Sequence, residues 1–197
     1  MPNWLASKCL GATIFTLLAD TLFVTLPGHF QVILRRSDVD GDQICRELSK
    51  FASGCAEFDQ LLEEAVRILH QSNRRFHWTG IYELFPDDVL RLGPFIGAAT
   101  DHVFISVGRG VCGSAVAEKR NKIIPDVTKE PNYLACSSST KSELVVLIQR
   151  DERIFAQIDI DSDDLDAFDE RTVEAVQKVA DWLADAYEAR AGQVEDK

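Results

Sequence analysis

The side chains of this chain best suited to chemistry are two thiols and three carboxylates: Cys112, Cys136, Glu143, Asp159 and Asp161. Cys112 stands in "SVGRGVCGSAV", where Gly108, Gly110 and Gly113 leave no side chain to cover it and let a partner approach the backbone closely. A helix starting near Val111 places Cys112 in its first turn, where N–H groups and the helix dipole favour a thiolate. The plain alternative is a small buried cysteine at a glycine-rich helix start, which is inert. Cys136, in "NYLACSSSTKSE", is flanked by Ala135 and three serines, a polar setting that core packing does not account for. An exposed loop thiol is a hazard unless it is used.

Seven residues after Cys136, Glu143 opens a predicted strand, and Asp159 and Asp161 close the next one in "QIDIDS". Spaced by two, these aspartates share one face of a strand otherwise rich in Ile and Phe, which marks them as site residues. A strand end emerging into water is the alternative. Asp159, Asp161, Asp163 and Glu170 also fit positions of a calcium-binding helix-loop-helix, but Asp164 stands where that loop needs glycine, and "RIFAQI" upstream reads as a strand. No metal is therefore expected.

The elements that must position these residues follow from periodicity. "ICRELSKFASGCAEFDQLLEEAVRILHQ" carries Leu61, Leu62, Ala65, Val66, Ile68 and Leu69 at helical spacing, which predicts a long amphipathic helix containing Cys45 and Cys55 as packing residues. "HWTGIYELF" and "VLRLGPFIG" read as strands joined by the turn "PDD". The glycine loop and its helix come next, then strands in "KIIPDV", "SELVVLIQRD" and "RIFAQIDID". A closing helix carries Val173, Val176, Val179, Ala180, Leu183 and Tyr187 on one stripe. Helix, antiparallel strands with an inserted helix, then helix is an α+β arrangement with helices on one face of a sheet.

Composition narrows the partners. The chain has 197 residues, 46% of them hydrophobic, enough for one packed domain with an extra segment. Its net charge of −11, without any Lys/Arg block, argues against nucleic acid and anionic membrane surfaces. The five cysteines are odd in number and irregularly spaced, with no CxxC, which points to a reducing, cytoplasmic setting and not to a disulfide framework or zinc knuckle. Residues 1–40 form an apolar extension of uncertain role. Asp20 and Pro27-Gly28 interrupt it, whereas a spanning helix needs about 20 apolar residues in a row, and "TLPG" makes a poor signal-peptide cleavage site. "RRSDVDGD", Arg35 to Asp42, reads as a polar linker into a domain of residues 41–190, and 191–197 as a polar tail.

Taken in order, "HWTGIYEL", "LRLGPFIG", "VGRGVCGSAVAE", "NYLACSSSTKSELVVLI" and "IDIDSDDLDAFDE" resemble the GAF-domain free methionine-(R)-sulfoxide reductases, over about Leu61 to Tyr187. The resemblance implies a GAF-like six-stranded antiparallel sheet with helices packed on one face and a loop-roofed ligand pocket on the other. It implies reduction of the free amino acid, with no bound cofactor and with an external thiol reductant of the thioredoxin or glutathione type. Cys136 then matches the nucleophile that attacks the sulfoxide sulfur, and Cys112 a second active-site thiol. Glu143, Asp159 and Asp161 match the carboxylates that bind substrate and help protonate the departing oxygen. Trp78 and Tyr82 match the aromatic residues lining the methyl side. A neutral-pH reduction of S=O needs these three things: a thiolate, a proton source and an apolar pocket.

Two departures stand beside the match. Family members with three active-site cysteines place one ten residues before the "GVCG" cysteine, in a lid loop, and that position here is His102. The strand after Glu143 reads "LVVLIQ", without a proline common there. A non-catalytic GAF module that senses a small ligand or oxidants is therefore the alternative to the enzyme. A homodimer is left open.

Overall fold

The structure, a computed structural model, describes residues 14–18, 21–25, 31–35, 39–54, 56–134 and 137–195. The chain divides into two compact units, Met1–Asp38 and Val39–Lys197.

In the first unit the apolar extension forms three strands, β1 (Ile14–Leu18), β2 (Thr21–Thr25) and β3 (Gln31–Arg35), paired antiparallel in that order. Leu18 pairs with Thr21 and Thr25 with Gln31. No helix among the described residues is long and apolar enough to cross a membrane.

The second unit starts earlier than the sequence suggests. Val39 is buried, Asp40 caps the first helix by accepting the Gln43 N–H at 2.9 Å, and Gly41 and Asp42 already lie in that helix. The last residues of "RRSDVDGD" therefore belong to the fold and not to a linker. The single long helix expected next is two helices, α1 (Gly41–Ala52) and α2 (Phe58–Ser72). Ser53 Oγ bonds back to the Lys50 carbonyl and the Gly54 N–H to that of Phe51, which ends α1. Glu57 and Gln60 then form a reciprocal capping box that starts α2. Cys45 is half-buried on α1 against α4; Cys55 lies outside the described residues.

Six strands follow: β4 (Trp78–Phe85), β5 (Val89–Ile96), β6 (Phe104–Ser106), β7 (Lys122–Ile124), β8 (Ser142–Arg150) and β9 (Arg153–Ser162), antiparallel in the order β6-β5-β4-β9-β8-β7. Two further helices are α3 (Gly110–Glu118) and α4 (Glu170–Glu195). Alternation sends Leu144, Val146 and Ile148 of β8 and Ala156, Ile158 and Ile160 of β9 to one face, packed under α1, α2 and α4. The stripe of α4 meets them, with Val176, Val179, Ala180 and Leu183 fully buried. Each large apolar side chain so buried contributes about 1.5–3 kcal/mol. The opposite face carries Trp78, Tyr82, Val145 and Leu147 beneath α3. Among the described residues three of the four α-helices thus share one face, and the fourth covers the other, bringing Cys112 down onto the sheet.

Around Asp159 to Glu170 the chain runs as strand β9, then a turn, then α4. A strand stands where a calcium-binding hand needs an entering helix, so the acidic run belongs to the sheet.

Candidate active site

The floor of the site is set by strand register. Across β4, β9 and β8, Trp78 pairs with Asp161 and Asp161 with Glu143; one step along, Gly80 pairs with Asp159 and Asp159 with Val145; a further step brings Tyr82, Gln157 and Leu147 into line. Directly opposed residues share a face. Two carboxylates therefore stand side by side at the end of the sheet, with a third one row further in.

Above them α3 delivers the thiol. The Cys112 Sγ donates to Asp159 Oδ2 at 3.3 Å and lies 3.8 Å from Glu143 Oε1. Two glycines make this descent possible. Gly110 takes φ +66°, and a Cβ there would press on the Leu134 side chain at 2.9 Å; a Cβ on Gly113 would overlap the Ser106 carbonyl. Asn132, which periodicity does not pick out, clamps the turn: its Nδ2 lies 3.0 Å from the Gly108 carbonyl, 3.2 Å from that of Gly110 and 2.8 Å from Ser114 Oγ.

The aromatic wall stands at the same end. The Trp78 indole N–H donates to the Ala98 carbonyl at 3.1 Å, and the ring stacks between Tyr82 and Phe95, with centroids 6.3 and 5.6 Å away. It lies over Gly80 and against Gly97, and a Cβ at either would overlap it. Tyr82 is fully buried and donates its hydroxyl to the His102 carbonyl at 2.9 Å, tying the loop before β6 to the floor.

Burial decides the electrostatics. Desolvation first, then the charges of Asp159 and Asp161, push the Glu143 carboxyl well above its usual range. Asp159 is pushed up to about 7 by burial, against a lowering contribution from the Cys112 hydrogen bond. Asp161 is also held high by burial and by Asp159 and Asp163, although a Thr140 hydrogen bond favours its charged form. The cluster therefore stores protons near neutral pH, when isolated carboxyls are ionised. One atom each of Cys112, Glu143 and Asp159 lie within 4.8 Å of one another, a span that a cation can bridge. Within the same group Cys112 donates into Asp159.

Of the seven site residues expected from sequence, Trp78, Tyr82, Cys112, Glu143, Asp159 and Asp161 converge on this face. Cys136 lies outside the described residues. Leu134, two positions before it, packs against Gly110 in the turn that carries Cys112.

The GAF domain profile matches residues 57–187. The chain belongs to the GAF domain family. The six-stranded antiparallel sheet of this GAF protein bears out the fold expected from its motifs, while α3 covers the face that was expected to carry loops alone. Within the family its similarity runs to proteins named free methionine-R-sulfoxide reductase. That of Saccharomyces cerevisiae is 40% identical over 107 residues, covering 53% of this chain and 59% of the relative. That of Escherichia coli is 36% identical over 117 residues, covering 59% of this chain and 70% of the relative. The crystal structure of the Neisseria meningitidis enzyme in complex with its substrate superposes with a TM-score of 0.72 at 28% identity, over 78% of this chain and 91% of that one. The match thus spans about three-fifths of the yeast relative's length and more of the bacterial ones.

Proposed function

We propose that this GAF protein reduces free methionine-(R)-sulfoxide to methionine. The observation that supports this reading most is the contact of Cys112 with Asp159 inside a buried cluster of carboxyls that hold protons near neutral pH. Reduction of a sulfoxide needs a proton delivered to an oxygen that is a poor leaving group, and buried carboxylic acids supply one where exposed carboxylates do not. The Cys136 thiolate attacks the sulfoxide sulfur while the cluster of Glu143, Asp159 and Asp161 protonates the oxygen. The attack forms a bond between Cys136 Sγ and the methionine sulfur; the protonated oxygen then passes from that sulfur to Sγ, so the original S–O bond and the Sγ–S bond break, methionine leaves, and Cys136 is left as a sulfenic acid. Cys112, or an external thiol, then attacks the Cys136 sulfur and releases water as a disulfide forms. A dithiol reductant of the thioredoxin type, or glutathione, returns both cysteines to thiols by exchange, in the reducing cytoplasm. Trp78 and Tyr82 line the methyl side, and the acids also hold the substrate ammonium. No bound cofactor or metal takes part in this scheme.

The second reading, a non-catalytic module sensing a small ligand or oxidants, rests on the departure from the family resemblance, which implies a lid thiol where this chain has His102. Turnover separates the two. Methionine should form from the R epimer with dithiothreitol, more slowly with thioredoxin, and from the S epimer not at all. Methionine no faster than a Cys136→Ser background rejects the enzyme.

A further inference from the structure

Gln157 lies between Tyr82 and Leu147 on the face of β9 that carries Asp159 and Asp161, and it is fully buried. Neither its amide nitrogen nor its amide oxygen has a hydrogen-bond partner, and the same holds for Asp159 Oδ1. Burying an amide with both ends unsatisfied is strongly unfavourable, and an apolar residue would fill this row between Tyr and Leu without that cost. The two side chains, whose residues are about 6.6 Å apart along the strand, do not bond each other directly. One water, making two hydrogen bonds of about 2.8 Å, spans that gap, and three protein atoms are available to it, which satisfies the requirement of two to four polar partners.

We propose that Gln157 and Asp159 together hold a buried water, which makes Gln157 the positioning residue for the Asp159 carboxyl. The water accepts from Asp159 Oδ1 while the carboxyl is protonated and donates to it once ionised, bonds to the Gln157 amide, and leaves Oδ2 turned to the Cys112 thiol, where the contact already exists. Asp159 is thereby fixed with one oxygen on the sheet side and one toward the reacting centre. The other polar or titratable groups around it are Cys112 from α3, Glu143 from β8, Tyr82 from β4 and Asp161 on its own strand. Among these and Gln157, the amide is the one neutral group able to accept and donate at once without titrating. The proposal deepens the reductase reading but does not need turnover for its test.

The test uses the full chain and the variants Gln157→Leu and Gln157→Met. A high-resolution crystal structure of the unmodified protein should show an ordered water bonded to Gln157 and to Asp159 Oδ1; direct contact of the two side chains, or a dry gap, overturns the proposal. The Asp159 carboxyl, followed by carbon-13 NMR without substrate, should titrate about one pH unit higher in Gln157→Leu and in Gln157→Met, because a donor to its charged form is gone. An unmoved titration in a folded variant overturns it, and means that Gln157 is merely an unfavourable core residue whose loss raises stability. If the protein reduces methionine-(R)-sulfoxide, the alkaline limb of kcat should move by the same amount, with KM less affected. A shifted titration in a protein without turnover retains the water and removes the reductase reading; turnover with an unmoved titration does the reverse.

Discussion

Cys112 on α3 and Asp159 on β9, 47 positions apart in sequence, meet with Sγ 3.3 Å from Oδ2 in the buried layer between helix and sheet. Asp159 is thereby joined to a thiol, yet still buried away from bulk solvent, and its carboxyl is pushed from 3.8 up to about 7. The native state holds this proton more tightly than the unfolded chain does. Its contribution to stability is present in full below pH 3.8 and is lost as pH rises through about 7.

Asp159→Asn carries no such pH dependence at this position. We expect the stability of the variant to gain on that of the wild type by a few kcal/mol between about pH 4 and pH 8. Urea unfolding at a series of pH values measures the gap; parallel curves would mean that Asp159 is not held protonated. The same variant keeps the shape but loses the acid, so turnover should drop by about 10²-fold or more.

Gly113 holds the first turn of α3 against the Ser106 carbonyl. Gly113→Ala should push that turn outward, costing about 1–3 kcal/mol and lowering turnover as Cys112 leaves Asp159. Gly192→Ala, in open space on α4, is the control and should be neutral or slightly stabilising. Thermal unfolding and turnover of the two variants check this, and equal behaviour contradicts it.

Much of this site is written in short-range patterns. The spacing of Asp159 and Asp161 within a strand puts both on one face, and the glycines around Cys112 announce a helix start with little side-chain bulk. Gln157 shows the same period of two, but its meaning depends on which atoms bury it. Asn132 has no local signal, because its partners Gly108, Gly110 and Ser114 lie across a loop. The break between α1 and α2 hides because apolar residues continue at helical spacing on both sides of Gly54. Strand β6 spans only Phe104–Ser106, too short for any period to show. The extension around β1 to β3 reads as apolar before it reads as strand, since β-branched runs satisfy both descriptions.

Tyr82 ties the loop at His102 to the floor through one hydrogen bond of 2.9 Å. Tyr82→Phe keeps the ring and removes that tie, worth about 1 kcal/mol. We expect KM to rise several-fold with kcat nearly constant. A fall in kcat at constant KM would instead put the hydroxyl at the reacting centre.

His102 stands ten residues before Cys112, where the family resemblance implies a lid thiol. His102→Cys should gain thioredoxin-dependent turnover, and peptide mapping after one equivalent of substrate should find the introduced thiol linked to Cys136. No gain, in a wild type that already links Cys112 to Cys136, means that the cycle runs on those two cysteines.

The most direct test of the account is a single turnover without reductant. The reduced protein, mixed with an equal amount of free methionine-(R)-sulfoxide, should release one methionine per chain. Mass mapping should then place the oxidation on Cys136, as a sulfenic acid or as a disulfide to Cys112. No methionine, or methionine released while Cys136 remains a thiol, contradicts it.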